Sequence, residues 1–199
     1  MLFIVFAETG LFAGFFLPGD SLLFVSGIFS NKLAAYLYDT GNPFLNLLMI
    51  IALVSVAGIA GNMVGFWFGK KVGPTMYHWK DNLLFKKHYL EQAHAFYEKH
   101  GGGAIVFARF IPIVRTFAPI VGGIVEMERH KFMYYNIIGS IAWSASMLAG
   151  GHYLDKIANE QFHFDLKKHL EVIVLGIVLV TTAPVIFKLI FSKRKSEPS

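Results

Sequence analysis

The amino-acid sequence predicts an all-α polytopic membrane protein. Of its 199 residues, 55% are hydrophobic and only 16% are charged, whereas a soluble domain carries about 25% charged residues. Long apolar stretches alternate with short basic segments, and two of the stretches are broken by proline and glycine. We therefore predict one membrane domain over residues 1–199, built as an inverted repeat. It contains two opposed re-entrant helical hairpins, about three spanning helices and a surface amphipathic helix.

The first hydrophobic segment, residues 1–29, contains no Lys or Arg and is interrupted by Leu17-Pro18-Gly19-Asp20. Because proline removes a helix donor and glycine loosens the backbone, the segment is predicted to form a re-entrant hairpin of two half-helices. One kinked spanning helix is the alternative. Residues 30–45, which include Gly41 and Pro43, are predicted to be a loop.

A spanning helix is predicted over residues 47–69, which are uncharged. At about 1.5 Å per residue, this segment is long enough to cross a hydrocarbon core about 30 Å thick. Gly61, Gly65 and Gly69 recur at every fourth position, so one face of the helix can be approached closely by a neighbour. We expect this face to serve helix packing, with a substrate groove as the alternative.

The middle of the chain is more polar, with six lysines and three acidic residues between positions 70 and 103. Phe85, Tyr89, Ala93 and Phe96 recur there at helical spacing, which predicts an amphipathic arm on the membrane surface. The glycines at 101–103 are expected to end this helix.

A second interrupted hydrophobic segment, residues 104–125, contains Pro112, Pro119 and Gly122. For the same reasons as in the first segment, it is predicted to form a re-entrant hairpin. The remainder of the chain is predicted to contain spanning helices at 132–151 and 170–191, joined by a polar loop at 152–169.

The order of hairpin and spanning helix at 1–69 recurs at 104–151. Interrupted hydrophobic segments in corresponding positions are typical of inverted-repeat transporters. Because short lysine-rich segments are retained in the cytoplasm, we expect the arm and the basic C-terminal tail to share that side. The two hairpins then enter the membrane from opposite faces.

Four charged residues lie within these hairpins: Glu8 and Asp20 on the first, and Arg109 and Arg115 on the second. At about 2.5–3.5 kcal/mol for each ion at the bilayer centre, four unpaired ions cost about 10–14 kcal/mol. They must therefore pair, take up protons or line water. Arginine can grip a phosphate with two donors, and a desolvated carboxylate can take up a proton. The alternative is that the four residues form purely structural ion pairs between the hairpins.

Other kinds of chemistry have weaker support. The chain has no cysteine, which excludes disulfides and thiolate sites. His88, His94 and His100 are spaced so that they point in different directions around a helix, so we expect no metal and no other cofactor. A basic face with stacking platforms is missing, and we therefore expect no nucleic-acid partner. No nucleophile triad can be assembled, which favours a protein that is not an enzyme.

Several motifs of the chain are shared with one known family. They are Glu8 followed by Pro18-Gly19-Asp20, the glycine-spaced segment from Gly61 to Gly69, the run Phe107-Ala-Arg-Phe-Ile-Pro-Ile-Val-Arg115 with Pro119 and Gly122, and Phe132, Asn136, Gly139 and Trp143. In these motifs the chain resembles the DedA family, also called the SNARE-associated Golgi protein or VTT-domain family, over nearly its whole length. The run containing Arg109, Pro112 and Arg115 is specific, whereas the glycine spacing alone is not.

The resemblance implies a multi-pass protein of the bacterial inner membrane. It also implies flippase-like or scramblase-like transport of a phosphate-bearing lipid such as undecaprenyl phosphate, coupled to the proton motive force. The family's functional acidic pair corresponds to Glu8 and Asp20, and its arginine pair to Arg109 and Arg115. The expected partners are therefore membrane lipids and protons.

Two other functions use the same residues. A proton-coupled antiporter for cations or drugs would use the carboxylates but would leave the arginines without a ligand. A membrane lipid phosphatase would need a nucleophile or general base beside the arginines, and the nearest histidine in sequence, His130, lies in a charged loop.

Overall fold

The computed structural model describes residues 1–10, 19–77, 102–162 and 176. Within these ranges the chain is helical and has no strand, so the predicted all-α class is confirmed. The helices are α1 (Leu2–Gly10), α2 (Gly19–Ile28), α3 (Ser30–Leu37), α4 (Pro43–Tyr77), α5 (Gly103–Ala108), α6 (Pro112–Ile124) and α7 (Arg129–Phe162). One helix of the described ranges, α4, is long and apolar enough to cross a membrane, over Pro43–Gly73.

Several predicted features lie outside the described residues. They are Pro18 in the first hairpin, most of the amphipathic arm with its three histidines, the span at 170–191 and the basic tail. The inverted repeat and the re-entrant path of the hairpins stay predictions.

Two predicted loops are wrong in part. Residues 30–37 form α3, and only residues 38–42 separate it from α4. The turn-forming residues are concentrated in those five positions, whereas α3 contains Leu and Ala, which favour helix. Residues 152–162 continue α7 instead of forming a loop, because they are polar but contain neither proline nor glycine. Similarly, α4 continues from 70 to 77, and Gly103 begins α5 instead of ending a helix.

The start of α4 is fixed by its own capping residues. Asn42 accepts a hydrogen bond from the backbone N–H of Phe44 through its side-chain oxygen, at 2.9 Å, and Pro43 occupies the first helical position. Both features are favourable at a helix N-terminus. In the preceding turn, Oδ1 of Asp39 accepts hydrogen bonds from the Asn46 side chain at 2.9 Å and from the Gly41 backbone at 3.0 Å. These bonds lower the pKa of Asp39, the Asn46 bond contributing most.

The two long helices, α4 and α7, pack side by side in antiparallel directions. Along this pair, the hydroxyls of Ser55 and Ser144 are 2.6 Å apart and the rings of Phe66 and Phe132 stack on each other. Trp143 of α7 is buried in an apolar cluster with residues of α1, α2 and α4. This helix pair is therefore the frame on which the shorter helices are placed.

The short helices pack closely against this frame at glycines. A β-carbon at Gly10 would lie 2.6 Å from the carbonyl oxygen of Gly61, so α1 and α4 touch backbone to backbone there. The backbone of Ile120 in α6 approaches Gly69 of α4 in the same way, and Leu148 of α7 approaches Gly27 of α2. Thus α2 packs on α7, while α1 and α6 pack on the glycine-bearing face of α4.

Candidate functional site

Three of the four predicted charged residues meet in one buried cluster. Glu8 lies near the end of α1, Asp20 in the first turn of α2 and Arg115 near the start of α6, with 2%, 8% and 5% of their surfaces exposed. Nη1 of Arg115 lies 2.5 Å from Oδ1 of Asp20, and Nη2 pairs with Oε1 of Glu8. The two hairpin segments are therefore joined by one guanidinium that divides its donors between two carboxylates.

Trp143 of α7 completes this cluster. Its indole N–H donates to Oδ1 of Asp20 at 3.1 Å, and the guanidinium of Arg115 lies 4.9 Å from its ring centroid. The guanidinium of Arg109 lies 6.0 Å from the same centroid. An aromatic face attracts a cation at such distances, so Trp143 interacts with both Arg115 and Arg109.

Arg109 is held differently from Arg115. It follows α5 in the short break before α6, and only 3% of its surface is exposed. Nη2 donates to Oδ1 of Asn136 at 2.9 Å and lies 3.5 Å from the carbonyl oxygen of Gly58. The amide of Asn62 lies 2.9 Å from Oδ1 of Asn136 and also contacts Nη2 of Arg109. Neutral oxygens therefore surround this cation.

No carboxylate of the described residues pairs with Arg109. Its Nε and Nη1 are buried and have no hydrogen-bond partner within the described ranges, and the same is true of Nε of Arg115 and Oε2 of Glu8. A buried donor without a partner costs about 1–3 kcal/mol, and more when it is charged. The site therefore retains unused capacity to donate hydrogen bonds, and most of it lies on Arg109.

Two glycines leave the space that these side chains occupy. A β-carbon at Gly139 would lie 3.1 Å from Cδ of Arg109 and 3.3 Å from the backbone of Val106. A β-carbon at Gly19 would overlap the carboxylate of Glu8. The absence of a side chain at Gly19 is therefore a condition for the observed position of Glu8, whereas at Gly139 an added carbon would make Arg109 or Val106 shift by a few tenths of an ångström.

The two prolines singled out in the second hydrophobic segment both lie in α6. Pro112 begins α6 and Pro119 lies inside it. Gly65 of α4 faces Pro119 and Ile120 at ordinary contact distance.

Three residues that contact the charged groups, Asn62, Asn136 and Trp143, have no site role in the sequence-based prediction. A signal was present, because Asn136, Ser140 and Trp143 follow one another at spacings of four and three residues and hence share a face of α7. Asn62 is similarly a polar residue in the uncharged part of α4. Polar residues on one face of membrane helices usually point into the protein.

The chain is similar to one known domain and to several membrane proteins of bacteria. Residues 17–153 match the VTT domain. Protein DedA of Escherichia coli K12 is 37% identical over 194 residues, which cover 98% of this chain and 82% of that protein. An uncharacterized membrane protein of Mycobacterium tuberculosis H37Rv is 33% identical over 200 residues, covering 100% of this chain and 82% of the relative. Inner membrane protein YqjA of Escherichia coli K12 is 33% identical over 155 residues, 77% of this chain and 65% of the relative. No solved structure matches the chain.

Proposed function

Given that the chain belongs to the VTT-domain family of membrane proteins, which includes protein DedA, we propose that it carries a phosphate-bearing lipid, such as undecaprenyl phosphate, across the membrane. We also propose that this movement is coupled to protons, and that the chain lies in the bacterial inner membrane and crosses it several times. The name of the relative YqjA, an inner membrane protein, supports this location.

The observation that carries the proposal is the state of Arg109. This guanidinium is buried, lies among neutral oxygens and has two donors without partners among the described residues. A buried cation without a counter-ion is costly, and an anion that reaches it recovers that cost. A phosphate fits because its oxygens accept two parallel hydrogen bonds from one guanidinium. A cation antiporter has no use for such a group.

The ion pairs of Arg115 supply a mechanism for proton coupling. In the structure, Glu8 pairs with Nη2 of Arg115 and Asp20 pairs with Nη1. When both carboxylates take up protons they become neutral, and their attraction for Arg115 weakens. The guanidinium is then free to join Arg109 in binding the phosphate. When the phosphate leaves, the carboxylates release their protons and pair with Arg115 again.

This exchange keeps the charge of the site balanced. Without lipid, the two arginines and the two carboxylates sum to zero. With the carboxylates protonated, a phosphate bearing one to two negative charges neutralises the two arginines wholly or in part. Because charge separation in a low-dielectric site is expensive, lipid binding and proton uptake are expected to occur together. Arg109 and Arg115 therefore bind the headgroup, while Glu8 and Asp20 provide the proton linkage.

The test is transport of labelled undecaprenyl phosphate between the leaflets of vesicles containing the purified full-length chain. Arg109→Lys keeps the charge but loses the planar pair of donors, so we expect transport to fall at least about tenfold, the effect of losing about 1.4 kcal/mol of binding. Arg194→Lys, the same exchange in the C-terminal tail, is the matched control and should transport normally.

Three outcomes would overturn the proposal. Normal transport by the double variant with Arg109→Lys and Arg115→Lys would show that these two arginines do not bind the headgroup. Collapse of a pH gradient by added cations, without any lipid movement, would establish the antiporter instead. Release of inorganic phosphate from the lipid would establish a phosphatase.

A further inference from the structure

A cleft outside the charged site opens between the end of α4 and the start of α7. Its volume is about 540 Å³, and its lining includes Met63, Trp67 and Lys70 from α4 and Arg129 and Met133 from α7. This volume lies within the range of small-ligand sites, roughly 300–1,000 Å³. The cleft is therefore large enough to hold a lipid headgroup and the start of its chains.

Two aromatic side chains form part of the apolar lining of the cleft. Phe66 and Phe132 stack there with their ring centroids 4.1 Å apart, and Phe132 is completely buried. One helical turn further along each helix are Asn62 and Asn136, which contact Arg109. The stacked rings therefore separate the cleft from the polar network of the charged site.

The mouth of the cleft is basic. Lys70 and Arg129 are both exposed, and neither is paired with a carboxylate in the part of the chain that the structure describes. The neighbouring cations are engaged elsewhere: Lys71 lies over the Trp67 ring at 5.2 Å from its centroid, and Lys131 is 3.0 Å from Glu128. Among the described residues, Lys70 and Arg129 thus remain available to one ligand.

We propose that this cleft binds an anionic phospholipid of the surrounding leaflet, with the headgroup phosphate between Lys70 and Arg129 and the acyl chains over Met63, Trp67 and Met133. Basic pockets between membrane helices suit anionic headgroups. Methionine side chains adapt to flexible chains, and tryptophan suits the boundary between headgroup and hydrocarbon. The charge at the mouth and the apolar lining below it match the two parts of one such molecule. This site does not depend on the proposed transport.

The test is native mass spectrometry of the purified full-length chain with phosphatidylglycerol or phosphatidylcholine. The double variant K70Q/R129Q should lose at least about tenfold in affinity for phosphatidylglycerol, since each cation near a membrane surface contributes about 1 kcal/mol. The double variant K71Q/K131Q removes the same charge from the same end of the helices without changing a residue that lines the cleft. Its affinity should change less than about twofold.

A second variant separates the cleft from surface charge. Met63→Trp keeps both cations and fills the apolar part, so it should also lower phosphatidylglycerol binding. Melting temperatures without lipid establish that the variants are folded. Equal losses in the two double variants, unchanged binding in Met63→Trp, or equal binding of the two lipids by the unaltered chain would each overturn the site. Arg109 and Arg115 are intact in all variants, so failure here leaves the proposed transport untouched.

Discussion

The indole N–H of Trp143 donates its hydrogen bond to Oδ1 of Asp20, the same carboxylate oxygen that pairs with Arg115. One oxygen thus joins α2, α6 and α7. The indole and the guanidinium of Arg115 hold this carboxylate from two helices. Trp143 therefore positions the carboxylate of Asp20 beside Arg115.

Trp143→Phe is expected to move the pH dependence of lipid transport. Phenylalanine keeps an aromatic ring beside Arg115 but loses the N–H donor. A hydrogen bond to a charged group contributes about 1.5–3 kcal/mol, and one pH unit corresponds to 1.36 kcal/mol. If Asp20 carries the proton linkage, the midpoint of transport against pH should therefore rise by about one to two units. Trp79→Phe is the control, and an unshifted midpoint in Trp143→Phe would contradict the assigned role.

Glu8→Gln should separate lipid binding from proton coupling. Glutamine resembles the protonated glutamate in shape and charge, so Arg115 loses one of its two competing anions. We expect the phosphate lipid to bind at least as tightly as in the unaltered chain, while its movement across vesicles loses most of its pH dependence. Glu128→Gln changes an exposed carboxylate and should keep the original pH profile. The same pH profile in both variants would argue against the linkage.

Gly139→Ala should displace Arg109. The added methyl group would lie 3.1 Å from Cδ of Arg109, whereas in Gly150→Ala, on the same helix, the nearest atom is an aromatic carbon of Phe24 at 3.5 Å. Alanine favours helix over glycine by about 1 kcal/mol in both cases. We therefore expect the first variant to bind phosphate lipid roughly tenfold more weakly and the second to bind normally. Equal affinities, measured by lipid titration, would contradict this account.

Much of the charged site could be predicted from sequence because an ion in an apolar segment is conspicuous. Glu8, Asp20, Arg109 and Arg115 were identified in this way, and the expected pairing between the hairpin segments is present at Arg115. Which arginine pairs could not be predicted, because this depends on how the break after α5 turns Arg109 toward Asn136. That direction is set by packing between distant helices.

Local composition was less informative about helix limits. Polar residues around Asp155 suggested a loop, yet hydrogen bonds from Asn159 to the backbone and side chain of Asp155 lie within a continuous helix. Trp143 was also hard to interpret, because a tryptophan in a membrane helix usually marks the interface. Only its contact with Asp20, 123 residues away in sequence, reveals its role.

Glu126→Gly should stabilise the protein. Glu126 follows the C-cap residue of α6, Val125, and lies in the left-handed region at φ 55°. Its N–H bonds to Gly123, and the N–H of Met127 bonds to Gly122. This is the pattern of a Schellman cap, in which glycine is the preferred residue. A left-handed residue other than glycine costs about 1–2 kcal/mol, so the unfolding free energy in detergent should rise by about 1 kcal/mol. Glu128→Gly, in the same turn but without a positive φ, should be neutral or destabilising.

The predicted topology can be tested directly because the chain has no cysteine. Single cysteines at Lys86 and Lys195 are expected to react with an impermeant reagent only from the cytoplasmic side, since lysine-rich segments are retained there. A cysteine at Thr40 should react only from the other side. Labelling of positions 86 and 195 from opposite sides would exclude the predicted arrangement.

The ion pairs of Arg115 also have a consequence for biosynthesis. Asp20 and Glu8 precede Arg115 by 95 and 107 residues. At about 5–20 residues per second, the ribosome takes about 5 to 21 s to make that stretch. During this interval Glu8 and Asp20 have already been synthesised, whereas Arg115 has not. We therefore expect the first hairpin to reach its final depth only after α6 has emerged. Although the hairpin is synthesised first, its insertion would be completed only when Arg115 is available to pair with its two acids.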